Sequence, residues 1–419
     1  MAAIEFTEDT RQRIERIGSA DLVVGVAGTV ARDDIRARAQ QAVRDLGSAA
    51  PPLRLVFAWP DSAAQPAALN GSDLNGSDSP LTLLPFSAPL ATGELWSGVS
   101  ANQRAVLSLA ASLNAKACIV LGPDLAALNA HAIQLFAYAA LDRQCGLIMP
   151  LYSMGKYDGL INTGILSPLS RALYGKRLRY PIAFDFAVSG NLCARMAQHQ
   201  PGYHGAGDSL LWPVTTTVTQ YPQAAVGQVH LDARHQVAAG GLDLSAVLAQ
   251  IVGSLFHEMD FYAPQWQRIR GSQGVPVWGN APAEQPEGTL PDAQPMLDSF
   301  LLGSRNLGEL WQLVLPPNTL LEVRRLTRLP VEQFQMPDEL WASIVYDFAL
   351  AYRLRTISRA HLLGALTPLY LGWVASWVRA VAPLTGAAAE QRLEQMARAW
   401  EEKKPYLLSR WRWPDRFNP

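Results

Sequence analysis

A chain of 419 residues, 49% of them hydrophobic, can bury a large core, and its length suits about two or three domains or one catalytic domain with an extension. Lys plus Arg is 35 against Asp plus Glu at 36, so no overall field draws the chain to nucleic acid or to anionic lipid, and an anionic substrate has to be met by local groups. The three cysteines Cys118, Cys145 and Cys193 lack the paired spacing of a zinc site or a disulfide framework, and the charged segment 1–18 is not a signal peptide. Buried thiols and a cytoplasmic location are expected.

In chain order, the β-branched run 22–26 is followed by Gly28 and a helical pattern over 33–46, which predicts a strand-loop-helix opening. A second strand is expected over 53–59, stopping at Pro60-Asp61. The Ala/Pro/Ser-rich stretch 61–80, with Asn70-Gly71-Ser72-Asp73 and its near-copy Asn75-Gly76-Ser77-Asp78, has the composition of an exposed insertion. A third strand over 81–85, an amphipathic helix over 102–113, a strand over 117–121, a helix over 125–141 and a strand over 146–151 follow. This alternation predicts an α/β protein whose mostly parallel sheet is flanked by helices.

Beyond residue 242 the pattern turns helical, over 244–262, 297–314, 337–356, 359–382 and 388–408. A proline-rich break over 275–295 places a boundary between a domain of residues 1–274 and a helical C-terminal region of 296–419, where a homodimer contact is expected. The uncharged stretch 362–378 is interrupted by Gly364, Thr367, Pro368, Gly372 and Ser376, and is expected as a buried or oligomer-forming helix instead of a membrane span. Trp411 and Trp413 beside Arg410, Arg412 and Arg416 are expected to dock on the same chain or on a second subunit, not on nucleic acid.

The densest information lies between Cys145 and Met196. Pro150-Leu151-Tyr152, Lys156-Tyr157-Asp158-Gly159, Asn162-Thr163, Ala172-Leu173-Tyr174-Gly175-Lys176-Arg177 and Tyr180-Pro181-Ile182-Ala183-Phe184-Asp185-Phe186 follow one another with almost no spacer. An apolar strand that opens into a polar, glycine-containing segment is how an α/β sheet delivers side chains to the crevice at its strand ends. These residues resemble the retaining nucleotide-sugar glycosyltransferases of the mannosylglycerate synthase and glucosyl-3-phosphoglycerate synthase group. There the corresponding run reads roughly P-x-Y-x-x-x-K-Y-D-G-T-I-T-N, then A-L-Y-G-K-R-x-R-Q-P, then G-G-D-F.

The resemblance extends loosely from Asp21 to about Trp266. It implies a GT-A-like, Rossmann-like sheet with a helical C-terminal extension, and a hexose moved from a UDP- or GDP-linked sugar to a small polar acceptor such as a glycerate-like compound or another hydroxyl compound. It implies Asp185 as the carboxylate near the reacting sugar, where it orients hydroxyls instead of attacking. An acid capping a helix near Ala187 is the bland alternative.

For the donor it implies Gly25 and Ala27 after the first strand and Asp61 after the second. Gly98 and Arg104 stand where the family has a diphosphate-binding G-K-G. For the acceptor it implies Tyr152, Lys156, Tyr157, Asp158, Gly159, Asn162, Thr163 and Asp208. Metal assistance is implied by Asp124, the surviving acid of an Asp-x-Asp that reads Gly122-Pro123-Asp124, and by His235, with His230 a weaker candidate. Oxygen and nitrogen donors of this kind suit Mg2+ or Mn2+. Lys176, Arg177 and Arg179 read equally as phosphate contacts or as a solvated basic edge. Because the Asp-x-Asp, the G-K-G and the first donor loop are all altered, a binding or regulatory relative that has lost turnover remains the rival hypothesis, and a nucleotidyltransferase ranks last for want of a basic Gly-rich phosphate loop.

Overall fold

The computed structural model describes residues 6–28, 37–38, 41–42, 45, 53–60, 81–87, 95–122, 127–198, 209–232, 243–281 and 288–414. The chain forms two interleaved compact units. One comprises Met1–Ser153, Ile182–Ala238 and Val275–Pro282, and the other Met154–Pro181, Ala239–Gly274 and Ala283–Pro419. A single boundary in the proline-rich stretch therefore does not separate them. Residues 154–181 and 239–274, expected with the sheet, belong to the helical unit because their helices bury their apolar faces on those of the C-terminal region.

The strands are β1 (Leu22–Val26), β2 (Leu55–Pro60), β3 (Leu81–Phe86), β4 (Ala117–Leu121), β5 (Leu147–Tyr152), β6 (Phe186–Ser189), β7 (Val226–Leu231) and β8 (Val277–Trp278). The first helices in chain order are α1 (Glu8–Ile17), α2 (Leu95–Ser112), α3 (Ala130–Ala137), α4 (Ser167–Tyr174), α5 (Gly190–Gln198) and α6 (Trp212–Gln220). There follow α7 (Leu244–Phe261), α8 (Ala263–Trp266), α9 (Gln294–Asn306), α10 (Gly308–Val314), α11 (Pro317–Leu326), α12 (Asp338–Leu354), α13 (Arg359–Val381) and α14 (Gly386–Arg412).

The first unit is an α/β layer structure around one sheet of order β3-β2-β1-β4-β6-β5-β7-β8. Neighbours pair in parallel except β6, which runs antiparallel to both β4 and β5. Every residue of β1 and β4 is buried, as a strand covered by helices on both faces requires. The reversal of β6 has a topological cause: the chain leaves the sheet at the carboxyl end of β5 and re-enters at that same end, where Phe186 pairs with Val120. The helix expected to begin near Ala187 is thus a strand, and the helix behind it starts at Gly190. The strand β8 lies inside the proline-rich stretch and extends the sheet beside β7, with Trp278 over the bare backbone of Gly227.

The second unit is helical. All thirteen residues from Leu340 to Tyr352 in α12 are buried, and α13 buries Leu362, Leu366, Leu369, Trp373 and Val381. Fully burying one such side chain contributes roughly 1.5–3 kcal/mol. Trp341 of α12 and Tyr370, Trp373 and Trp377 of α13 form a column, with stacked pairs at centroid separations of 6.0, 5.9 and 5.8 Å. Offset ring pairs at this spacing add to plain area burial. Pro368 sits inside α13, and Gly303 of α9 supplies the room for it, since a Cβ there would stand 2.4 Å from the proline ring. Trp411 docks on its own chain, edge-on to Trp266 at 5.3 Å, while Trp413 is exposed. No helix among the described residues is long and apolar enough to cross a membrane.

Asp347 is fully enclosed in α12. Tyr406 Oη donates to its two oxygens at 2.8 and 2.9 Å, and Arg410 Nε stands 3.4 Å away. Burial outweighs both partners and pushes its carboxyl up to about 7. A carboxyl raised above its unfolded value holds a proton that the unfolded chain releases. Its contribution to stability is therefore complete below the unfolded value of 3.8 and is lost as the pH rises through about 7. Asp347→Asn is expected to flatten the fall in urea midpoint over that window, and an unchanged slope would show the group to be ionised throughout.

Candidate functional site

The order β3-β2-β1-β4 means that the chain steps to one side of β1, returns, and continues on the other, so the carboxyl ends of β1 and β4 flank a topological switch point. Open α/β sheets bind ligands in the crevice outside such ends. Asp185 stands here with no exposed surface. Its Oδ1 accepts from the backbone N of Gly122 at 2.8 Å, just past β4, and its Oδ2 accepts from Tyr152 Oη at 2.8 Å, at the end of β5. One carboxylate thus ties together the ends of three strands.

The N-terminal half of α2 adds a second set of ties. Asn102 Nδ2 donates to Ala27 O at 3.4 Å, Ser100 Oγ to Ser209 O at 3.4 Å, and Gln103 Nε2 to Phe184 O at 3.5 Å. Gln103 is enclosed, and its Oε1 accepts from Trp212 Nε1 at 2.9 Å. The guanidinium of Arg104 lies 4.0 Å from the centroid of the Trp212 ring, so its charge is held against an aromatic face. None of Ser100, Gln103 or Trp212 has a motif of its own; the signal for Ser100 and Gln103 is a cluster of polar residues in the first half of a helix whose second half is mostly apolar.

Of the expected donor residues, Ala27 is buried and its N donates to Leu121 O at 2.8 Å. Gly25 is a packing glycine: a Cβ there would stand 2.2 Å from Val106 Cγ1 of α2. Gly98 faces open space, with nothing within 4 Å of a would-be Cβ. Gly25→Ala is expected to cost about 1–3 kcal/mol by overpacking, and the second change Val106→Ala to recover part of it. Additive losses in chemical denaturation would exclude the contact as the cause.

In the second unit, the segment from Lys156 to Thr163, a turn that leads into the π-helical stretch Asn162–Leu166, is held by indoles and a helix end. Trp377 Nε1 donates to Lys156 O at 3.2 Å and Trp341 Nε1 to Gly164 O at 2.7 Å, while Trp373 covers Gly164 so closely that a Cβ would meet it at 2.4 Å. Lys156 Nζ donates to Ala382 O at 3.1 Å and Leu384 O at 2.8 Å, neutralising the carbonyls at the end of α13. Asn162 Nδ2 donates to Arg179 O at 2.8 Å, and its Oδ1 is buried without a donor among the described residues. Thr163 is buried and meets Arg179, which in turn bonds Glu390. Asp158 closes a local turn by accepting from Gly155 N at 2.9 Å, and Gly159 takes φ 58° beside it. Of the expected acceptor residues in this loop, Asp158 and Gly159 are exposed and Tyr157 half-buried, while Lys156, Asn162 and Thr163 hold the loop in place.

Lys176 and Arg177 lie against the turn at 272–273, where Arg177 Nε donates to Ser272 Oγ at 3.0 Å. His230 is on β7, and burial lowers its imidazole below the usual range, with Asp232 opposing. All three cysteines are buried free thiols. Asp61, Asp124, Asp208 and His235 lie outside the described residues. Among the described residues no group of three or more His, Cys, Asp or Glu side chains stands together as a metal would need, so the fit to Mg2+ or Mn2+ rests on residues whose geometry is not described. Comparison with models of known protein families finds none that matches this chain, and comparison with curated proteins finds no match either.

Proposed function

We propose that the chain is a retaining glycosyltransferase of GT-A-like fold that moves a hexose from a nucleotide diphosphate sugar to a small polar acceptor. The observation that carries the reading is Asp185: the one acid of the motif-bearing run that is wholly buried ties the ends of β4, β5 and β6 beside the switch-point crevice. With both oxygens occupied and no exposed surface, Asp185 acts as a positioning residue, not as a nucleophile. In this reading it braces the ends of β4, β5 and β6 against one another and so fixes the wall of the crevice in which the diphosphate and the sugar are held. The exposed part of the loop at Asp158 and Gly159 is the acceptor-side candidate in the second unit. A bound Mg2+ or Mn2+ would supply a Lewis acid for the diphosphate, with Asp124 and His235 as its proposed ligands.

One observation favours the rival reading of a relative without turnover. Lys156, the cation of the acceptor motif, spends its donors on the end of α13. Calorimetric titration with UDP- and GDP-linked hexoses, with and without Mn2+, separates the two. Metal-dependent binding of one sugar nucleotide is expected; absence of binding to all of them in folded protein would sink the transferase reading and leave the rival.

A further inference from the structure

The helical unit contains an open cleft of about 760 Å³ between the face of α11, the start of α12 and the middle of α14. Its size is in the range of small-ligand sites. Glu322 and Arg325 reach it from α11, Glu339 from α12 and Lys403 from α14, and Pro316, Pro317 and Pro337 supply apolar wall. None of these four charges makes an ion pair with an opposite charge within 4 Å among the described residues, although both signs share one concavity. Elsewhere in this unit opposite charges do pair: Arg392 with Asp338 at 2.7 Å, and Arg179 with Glu390 at 3.3 Å. On the cleft wall the Tyr406 hydroxyl is held by Asp347, and its ring lies 5.6 Å from the Lys403 ammonium.

We propose that this cleft binds a short peptide with free ends, its ammonium between Glu322 and Glu339 and its carboxylate toward Lys403 and Arg325. Two exposed carboxylates and two cations without ion-pair partners among the described residues match a ligand carrying both charges, where a simple anion or a simple cation would meet repulsion from half of the lining. The proline walls take small apolar side chains. This inference is independent of the transferase reading, because no residue of the cleft belongs to the switch-point crevice or to the motif-bearing run.

The test is calorimetric titration of the full chain with trialanine, N-acetyl-trialanine and trialanine amide. Saturable binding of trialanine is expected, weakened at least about tenfold by acetylation and by amidation. Lys403→Gln is expected to weaken trialanine while leaving trialanine amide unchanged, and Glu322→Gln with Glu339→Gln to weaken trialanine while leaving the acetylated peptide unchanged. These are surface substitutions, and unaltered thermal unfolding will show that the variants are folded. No saturable binding of trialanine up to about 10 mM, equal binding of the blocked peptides, or affinity unchanged in the variants would each overturn the proposal.

Discussion

Asp185→Ala is expected to abolish the proposed sugar transfer and to lower the unfolding free energy by about 2–5 kcal/mol, because it leaves the N–H of Gly122 and the hydroxyl of Tyr152 facing each other across a buried gap without an acceptor. Asp185→Asn discriminates between the two ways of losing activity. The amide oxygen still accepts from Gly122, and the Tyr152 oxygen can turn to accept from the amide NH2, so the geometry survives while the charge does not. A positioning role predicts that Asn keeps most of the transfer rate and Ala does not. It also predicts that Tyr152→Phe, which removes one of the two ties, lowers kcat more than it raises KM. If Asn were as dead as Ala while unfolding at the wild-type denaturant concentration, the carboxylate charge itself would be required at the reacting sugar, and the positioning role would be wrong.

How much of this was legible follows from which forces are local. The strand at 117–121 announces itself because an apolar β-branched run with no polar interruption has one comfortable place, the middle of a sheet. The strand β6 did not, because four residues inside a motif-rich segment carry no periodicity, and its direction depends on where the chain returns. Helix α11 begins at Pro317, between the helical patterns over 297–314 and 337–356, where Pro316-Pro317 masks a start that proline in a first helical turn in fact suits. Asp185 stands out within its motif, but the sequence does not show which groups it bonds, since Gly122 and Tyr152 lie 63 and 33 residues away. The run Ala172-Leu173-Tyr174-Gly175, which carries much of the resemblance, is buried helix and left-handed cap: Gly175 takes φ 69°, and a Cβ would stand 2.8 Å from Ile269 Cγ2. Such residues specify packing, so a family likeness built on them speaks to the scaffold before it speaks to the reaction.

Arg171, one position ahead of that run, is expected to give the largest stability loss in the helical unit. It is 5% exposed on α4, and its guanidinium forks onto both oxygens of Glu394 while also bonding Glu401 at 2.8 Å, both on α14. The hydrogen bond from Arg171 is the main reason that the Glu394 carboxyl is held below its ordinary value. Arg171→Met would leave Glu401 facing an apolar side chain without its guanidinium, while Glu394 keeps Arg398 at 3.0 Å, and breaking a buried pair in this way costs up to about 3–5 kcal/mol. Arg171→Lys would recover only part of it, since an ammonium lacks the planar fork.

The pH dependence identifies the cause. A carboxyl with a depressed folded value contributes stability that is present above the unfolded value of 4.5 and disappears as the pH falls through the folded one. The gap between wild type and Arg171→Met should therefore narrow in acid, as the wild type loses what the Arg171–Glu394 pair contributes. Replacing all three groups together, as Arg171→Met with Glu394→Gln and Glu401→Leu, should return most of the loss at neutral pH, because it is the unpaired charge and not the absence of a salt bridge that destabilises. A loss below about 1 kcal/mol in urea denaturation of Arg171→Met would mean that water replaces the guanidinium and that α4 is held to α14 by apolar contact alone.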